Sequence, residues 1–254
     1  MSEPTETRAE YDFAERWLTV SELFGTTLQG EGLSQGMPAM FLRLGLCNLD
    51  CKWCDTPFTW DWTGKNGFAY SRAIELRRMQ VVEVYDRLRE GNPPELIVVS
   101  GGEPMLQQRS LLQLVNLLIA AGHRIEIETN GTVTPSFGWE HPCHAHQVLF
   151  NVSPKLTCSG VAATDAIKRD VLRRMVELGA VFKFVVQCNA DVAEAAALVA
   201  TVGIPPADVY LMPEGRSKHE ILAALPTVFD ACIEHGFNLT PRLQVLAFGN
   251  ERGV

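Results

Sequence analysis

Three closely spaced cysteines, Cys47, Cys51 and Cys54 in the run Cys47-Asn48-Leu49-Asp50-Cys51-Lys52-Trp53-Cys54, are the residues of this chain that point most directly to chemistry. Three thiolates on one polar loop can hold three corners of an iron–sulfur cube. They leave the fourth iron without a protein ligand, a position where a cofactor or substrate can dock. The same triplet can also be read as part of a structural zinc site, which usually takes paired Cys-x-x-Cys knuckles. Here the second knuckle is missing, and His141-Pro142-Cys143-His144-Ala145-His146 would have to supply the remaining ligand. The other four cysteines, Cys143, Cys158, Cys188 and Cys232, are scattered and are expected to act as small buried hydrophobes.

Such a loop needs a scaffold. Short apolar runs, expected as strands, cover residues 19–24, 40–45, 96–100, 124–128, 148–152, 181–187, 209–212 and 243–247. Helical patterns alternate with them at residues 73–90, 107–121, 166–178, 193–202 and 219–235, the second carrying a broad apolar face and followed by Gly122 as its stop. Strands alternating with helices imply parallel βαβ units. Their number fits an α/β fold, a single-domain partial (β/α) barrel over residues 17–254, after a polar leader over residues 1–16. Sites in such folds sit at the C-terminal ends of the strands. Four runs fall there: the cysteine loop, Gly101-Gly102-Glu103-Pro104, Thr129-Asn130-Gly131 and Ser153-Pro154-Lys155. Residues 55–71, rich in Trp and Gly, are too long for an ordinary connection and are expected to cover a ligand.

The 254 residues are 46% hydrophobic and 20% charged, enough for a substantial core. A net charge of −8 argues against nucleic acid or an anionic membrane as partner. No apolar run is long enough to span a bilayer, and the polar, acidic start lacks the blocks of a secretory signal. The expected location is cytoplasmic, where the cysteines stay reduced.

Cys-x3-Cys-x2-Cys with Trp53 before the last cysteine resembles the signature of radical S-adenosylmethionine enzymes, and Ser100-Gly101-Gly102-Glu103-Pro104 resembles their second motif. Gln29-Gly30-Glu31-Gly32, Arg43 in Phe41-Leu42-Arg43-Leu44, Asp55-Thr56 directly after Cys54, Glu128-Thr129-Asn130-Gly131 and Asn151-Val152-Ser153-Pro154-Lys155 narrow this. In that order they resemble the 7-carboxy-7-deazaguanine synthase family, from about residue 28 to 155 and more weakly beyond. Relatives in that family often end with Gln-Thr-His-Lys, where this chain reads Gln244-Val245-Leu246-Ala247-Phe248.

The resemblance implies a lyase that converts 6-carboxy-5,6,7,8-tetrahydropterin to 7-carboxy-7-deazaguanine with loss of ammonia, in queuosine-type biosynthesis. It implies a [4Fe-4S] cluster on Cys47, Cys51 and Cys54, with S-adenosylmethionine on the fourth iron. The S-adenosylmethionine site would comprise Trp53, Cys54, Asp55, Gly102, Glu103, Ser153, Pro154, Lys155 and Gln187. Thr56 would hold Mg²⁺, and Leu28, Gln29, Gly30, Glu31, Arg43, Ser100 and Glu128 would meet the substrate, Arg43 at its carboxylate. A flavodoxin or ferredoxin as electron donor and a homodimer complete what is implied. Each role has a plainer rival: Arg43 pairing with Asp50 or Glu31, Thr56 capping a turn, and Lys155 as a solvated loop lysine. At the level of function, the alternatives are a glycyl-radical-enzyme activase, which shares the first two motifs, and a non-enzymatic zinc-binding module.

Overall fold

The structure, a computed structural model, describes residues 16–254. The expected leader lies outside them except for Arg16. Among the described residues one sheet contains nine strands: β1 (Trp17–Leu28), β2 (Pro38–Leu44), β3 (Arg77–Gln80), β4 (Leu96–Gly101), β5 (Arg124–Thr129), β6 (Val148–Val152), β7 (Val181–Val186), β8 (Val209–Pro213) and β9 (Asn238–Leu239). Their order is β3-β1-β2-β4-β5-β6-β7-β8-β9. β2 and β4 through β9 run parallel to one another, whereas β1 pairs antiparallel with β2 and β3. The sheet does not close, and the fold is the partial barrel that the sequence implies.

Strand alternation decides which residues reach the site. Successive side chains point to opposite faces. Ile97 and Val99 of β4, Ile125 and Ile127 of β5, Phe150 and Val152 of β6, and Phe182 and Phe184 of β7 join one apolar core shared with the helices. The helices Gln108–Ala120 and Asn189–Val202 add Leu111, Leu114, Val115 and Leu118, and Val192, Ala195 and Leu198. The intervening positions carry Ser100, Glu126 and Glu128, Asn151 and Lys183, with Arg43 following Ala39 and Phe41 on β2. The register pairs Arg43 with Ser100 and Glu128 with Asn151, so these polar groups form one lining across the strands.

Two expected elements differ. Residues 243–247 form the helix Leu243–Phe248, not a strand. A short apolar run is ambiguous between the two, and β9 already occupies the sheet edge beside β8. The helix expected over residues 73–90 is broken into Arg72–Glu75 and Val81–Leu88 by β3. Arg77–Gln80 pair in register with Trp17–Val20, and that ladder overrides local helical periodicity. Of the scattered cysteines, Cys143 and Cys232 are buried, but Cys158 is only partly so and Cys188 is exposed at the start of the helix Asn189–Val202.

Where the ladder stops, side chains continue the wall. The loop after β1 meets the segment after β9: Gly32 N donates to Thr240 Oγ1 (2.8 Å), Leu243 N to Gly30 O (3.0 Å), and Gln35 Nε2 to Gly30 O and Pro241 O (both 2.7 Å). Among the described residues, no helix is long and apolar enough to cross a membrane. The outward face supplies the core, with Phe150 tilted against Trp139 at 5.5 Å between ring centroids. Phe150→Ala is therefore expected to destabilise the fold by about 3–5 kcal/mol, read as a lower urea midpoint at unchanged slope.

Candidate active site

The cysteine loop leaves β2 through Gly45 and Leu46, the latter at φ +74°, and is tied down on several sides. Leu46 N donates to Thr59 O (2.8 Å), Lys52 N to Ser159 O (2.9 Å), and Trp53 Nε1 to Cys158 O (3.1 Å). Asn48 accepts from Asn130 Nδ2 (3.0 Å) and donates to Thr132 (2.8 Å), while Asn66 Nδ2 donates to Cys51 O (3.1 Å). The Gly101-Gly102 strand end lies directly against this loop. Gly102 N donates to Leu44 O (3.0 Å) and Glu103 N to Leu46 O (2.8 Å). A Cβ on Gly101 (φ +138°) would lie 2.0 Å from Leu44 O, and one on Gly102 2.1 Å from Leu46 O, so only glycine permits this approach.

All three cysteines open on one cavity of about 430 Å³ at the C-terminal ends of the parallel strands. It is also lined by Leu28, Gln29, Gly30, Glu31, Arg43, Trp53, Asp55, Thr56, Ser100, Gly102, Glu128, Ser153 and Lys155. Most residues singled out from the sequence thus meet in one place. Glu103, Pro154 and Gln187 do not line it. Glu103 is fully buried beneath the loops, accepting from Thr129 Oγ1 (2.6 Å), Asn130 N (2.7 Å) and Met105 N (2.9 Å). Pro154 is buried, and Gln187 is exposed beyond the end of β7. From residues 55–71, Phe58, Trp60 and Tyr70 line the cavity, and the buried Asp61 organises the loop by accepting from the N–H groups of Gly64 (2.8 Å), Lys65 (3.0 Å) and Asn66 (2.8 Å).

Two charge clusters shape the site. Glu31 accepts from Lys183, from Arg242 Nε (3.0 Å) and from Gln244 Nε2 (2.7 Å), and Arg242 also pairs with Asp55, the residue after Cys54. Burial works against the Glu31 charge, but Lys183 and Arg242 outweigh it and hold the carboxyl well below its usual range. Lys183 is likewise desolvated, yet Glu31 and Glu128 hold it above the ordinary lysine range. Beside them, burial and then the Glu128 charge push Glu126 up. Gln29 Nε2 donates to Glu126 (2.8 Å) and Glu128 (3.3 Å), and Ser100 Oγ to Glu128 (2.7 Å). The second cluster is at the mouth. Arg43 pairs through Nε with Glu22 (2.7 Å), rather than with Asp50 or Glu31, and among the described residues the forked end of its guanidinium has no carboxylate partner and lies by the rings of Phe24 and Phe58. Glu22 also accepts from Arg252 Nε (2.5 Å) of the C-terminal segment.

The residues present fit an iron–sulfur cluster. The donors are soft thiols; burial pushes Cys47 up to about 12 and raises Cys51 and Cys54, so a positively charged centre is needed to keep them ionised. Donor N–H groups already point at sulfur, Leu49 N at Cys47 (3.5 Å) and Trp60 Nε1 at Cys54 (3.3 Å). The zinc alternative finds no support. Cys143 lies in the apolar core, away from the cavity onto which the three cysteines open.

The sequence profile of the Radical SAM superfamily matches residues 43–141, the span that carries the thiol triplet and the Gly101-Gly102 strand end of this unclosed parallel barrel. The 7-carboxy-7-deazaguanine synthase of Pyrobaculum aerophilum is 35% identical over 92% of this chain and 96% of its own, and that of Rhodopirellula baltica 31% over 98% and 93%. The chain belongs to the 7-carboxy-7-deazaguanine synthase family. In fold it is similar to the crystal structure of QueE from Escherichia coli (TM-score 0.70, 23% identity, 94% of this chain and 99% of that one).

Several lining residues escaped the sequence reading. Lys183 had a signal: an ionisable residue inside an apolar strand (Val181-Phe182-Lys183-Phe184) is either an error of register or an inward-facing functional group. Arg242 carried none, since only the return of the chain after β9 brings it to the cavity, whereas Gln244 stands where relatives carry Gln-Thr-His-Lys, and it and residues 249–254 reach the cavity by the same return. Because the Glu31 carboxyl is depressed, its contribution to stability is complete above the ordinary carboxylate value of about 4.3. It is lost as pH falls through the depressed value. Glu31→Gln is expected to cost about 3 kcal/mol or more at neutral pH by urea unfolding, and the gap to the parent protein should narrow as pH falls below about 4.

Proposed function

We propose that this chain, as one domain over residues 17–254, converts 6-carboxy-5,6,7,8-tetrahydropterin to 7-carboxy-7-deazaguanine with loss of ammonia. The observation that carries the reading is that Cys47, Cys51 and Cys54 share one cavity with Arg43, Ser100 and Glu128. Family membership supplies the reaction, and this juxtaposition supplies a place for it. When bound, the [4Fe-4S] cluster and S-adenosylmethionine supply the radical that removes hydrogen from the substrate.

The chain's own residues bind and orient. Cys47, Cys51 and Cys54 hold the cluster. Trp53, Asp55, Gly102, Ser153 and Lys155 form the S-adenosylmethionine wall, with Lys155 Nζ 2.9 Å from Ser153 Oγ and 5.4 Å from the centre of the Trp53 ring. Glu103 serves by fixing the Thr129-Asn130 turn against the Gly-Gly strand end rather than by touching the cofactor. Arg43, aimed by Glu22, offers its free fork to the substrate carboxylate. Gln29, Ser100 and Glu128 present donors and acceptors to the polar edge of the pterin, and Phe58 and Trp60 exclude water. Thr56 is the proposed protein ligand of Mg²⁺. Its hydroxyl caps no turn and sits 3.5 Å from Gly101 O, facing the cavity, and a hard oxygen donor suits an ion that keeps few protein ligands. A cytoplasmic homodimer served by a flavodoxin or ferredoxin completes the reading.

Anaerobic incubation with dithionite, S-adenosylmethionine and the pterin is expected to yield 7-carboxy-7-deazaguanine by mass spectrometry; a reconstituted protein that leaves the pterin unchanged overturns the proposal. Cys51→Ala should lose both cluster absorbance and turnover while keeping the far-ultraviolet circular dichroism of the parent. Thr56→Ala should flatten the dependence of turnover on added Mg²⁺, and an unchanged titration curve would remove Thr56 from the metal site.

A further inference from the structure

The three cysteine sulfurs do not have equal surroundings. Cys47 Sγ faces a backbone N–H, that of Leu49, at 3.5 Å. Cys54 Sγ faces the indole N–H of Trp60 at 3.3 Å, with the Thr56 hydroxyl at 3.7 Å. The indole of Trp53, the residue before Cys54, donates instead to Cys158 O.

The Trp60 side chain is held where it is. Its backbone closes the turn Pro57–Thr59, with Trp60 N donating to Pro57 O (3.0 Å), and Trp62 N donates to Trp60 O (3.1 Å). Asp61 then gathers the following N–H groups, and Asn66 returns to the cluster loop at Cys51 O. The indole stands between the substrate cavity and the outer hollow beside Cys47, Asp50 and Lys65.

We infer that the Trp60 indole N–H sets the reduction potential of the cluster through the sulfur of Cys54. The inference rests on the cluster reading given above. An electron added to an iron–sulfur cluster increases the negative charge on its sulfurs, so an N–H dipole aimed at a ligating sulfur stabilises the reduced form more than the oxidised one. In a site with little water the effect is stronger. Trp60 therefore raises the potential and with it the fraction of cluster that a given donor reduces, which makes it a tuning residue of the electron-entry step as well as part of the cavity wall.

The test is an anaerobic redox titration of reconstituted parent and Trp60→Phe proteins, followed by electron paramagnetic resonance, with iron and sulfide assayed in both. Equal cluster content and a midpoint moved to more negative values are expected. At the parent's midpoint the reduced-to-oxidised ratio should fall several-fold, where tenfold corresponds to ~59 mV for a one-electron couple. A full cluster with an unmoved midpoint overturns the inference and leaves the proposed function standing. If Trp60→Phe takes up no cluster, parent protein labelled with nitrogen-15 tryptophan decides: an isotropic coupling of an indole nitrogen to the reduced cluster supports the inference, and its absence refutes it. A parent protein that takes up no cluster would instead overturn the functional reading on which the inference rests.

Discussion

The architecture depends on one buried carboxylate. A barrel whose sheet stops at β3 on one side and β9 on the other has no continuous ladder to bring its ends together. Glu31 does much of that work. It lies in the loop after β1, and its partners are Lys183 from the far side of the sheet and Arg242 and Gln244 from the segment after β9. Three cationic or amide donors around one charge offset the cost of burying it, whereas removing any single partner would leave an uncompensated charge in a dry place. Through Arg242 the same cluster reaches Asp55, directly beside the last cysteine. The closure of the fold and the placement of the cluster loop are one set of contacts.

The second constraint is the parity of the strands. Each strand facing helices on one side and the cavity on the other gives alternate residues to two environments. The apolar half packs beneath the helices, and the polar half would be intolerable if left unpaired. Much of it is paired: Gln29 bridges Glu126 and Glu128, Asn151 supports Glu126, and Ser100 meets Glu128, while Glu126 Oε2 and Asn151 Oδ1 have no partner among the described residues. A rigid polar lining of this kind holds donors and acceptors in place before a ligand arrives, the condition for orienting a small polar substrate without reorganisation.

The third is the convergence of loops on Glu103. Its carboxylate accepts from the connections after β4 and β5, and its own N–H reaches the start of the cysteine loop. Glu103 thus lies one layer below the residues that line the cavity and ties their loops together.

The sequence by itself determined the alternation of strands and helices, the cysteine loop, the glycine pair and the family, because these depend on neighbours close along the chain. A run such as Gly101-Gly102 announces close backbone approach wherever it stands. Tertiary structure alone decided that Glu103 turns inward, that Arg43 takes Glu22 as its partner, that Arg77–Gln80 leave a helix to join β1, and that Arg242 and Gln244 reach Glu31. Each of these rests on groups far apart in the chain. A salt bridge or hydrogen bond acts only over a few ångströms, and until the chain returns on itself nothing in the local sequence says which distant charge will be there to meet it.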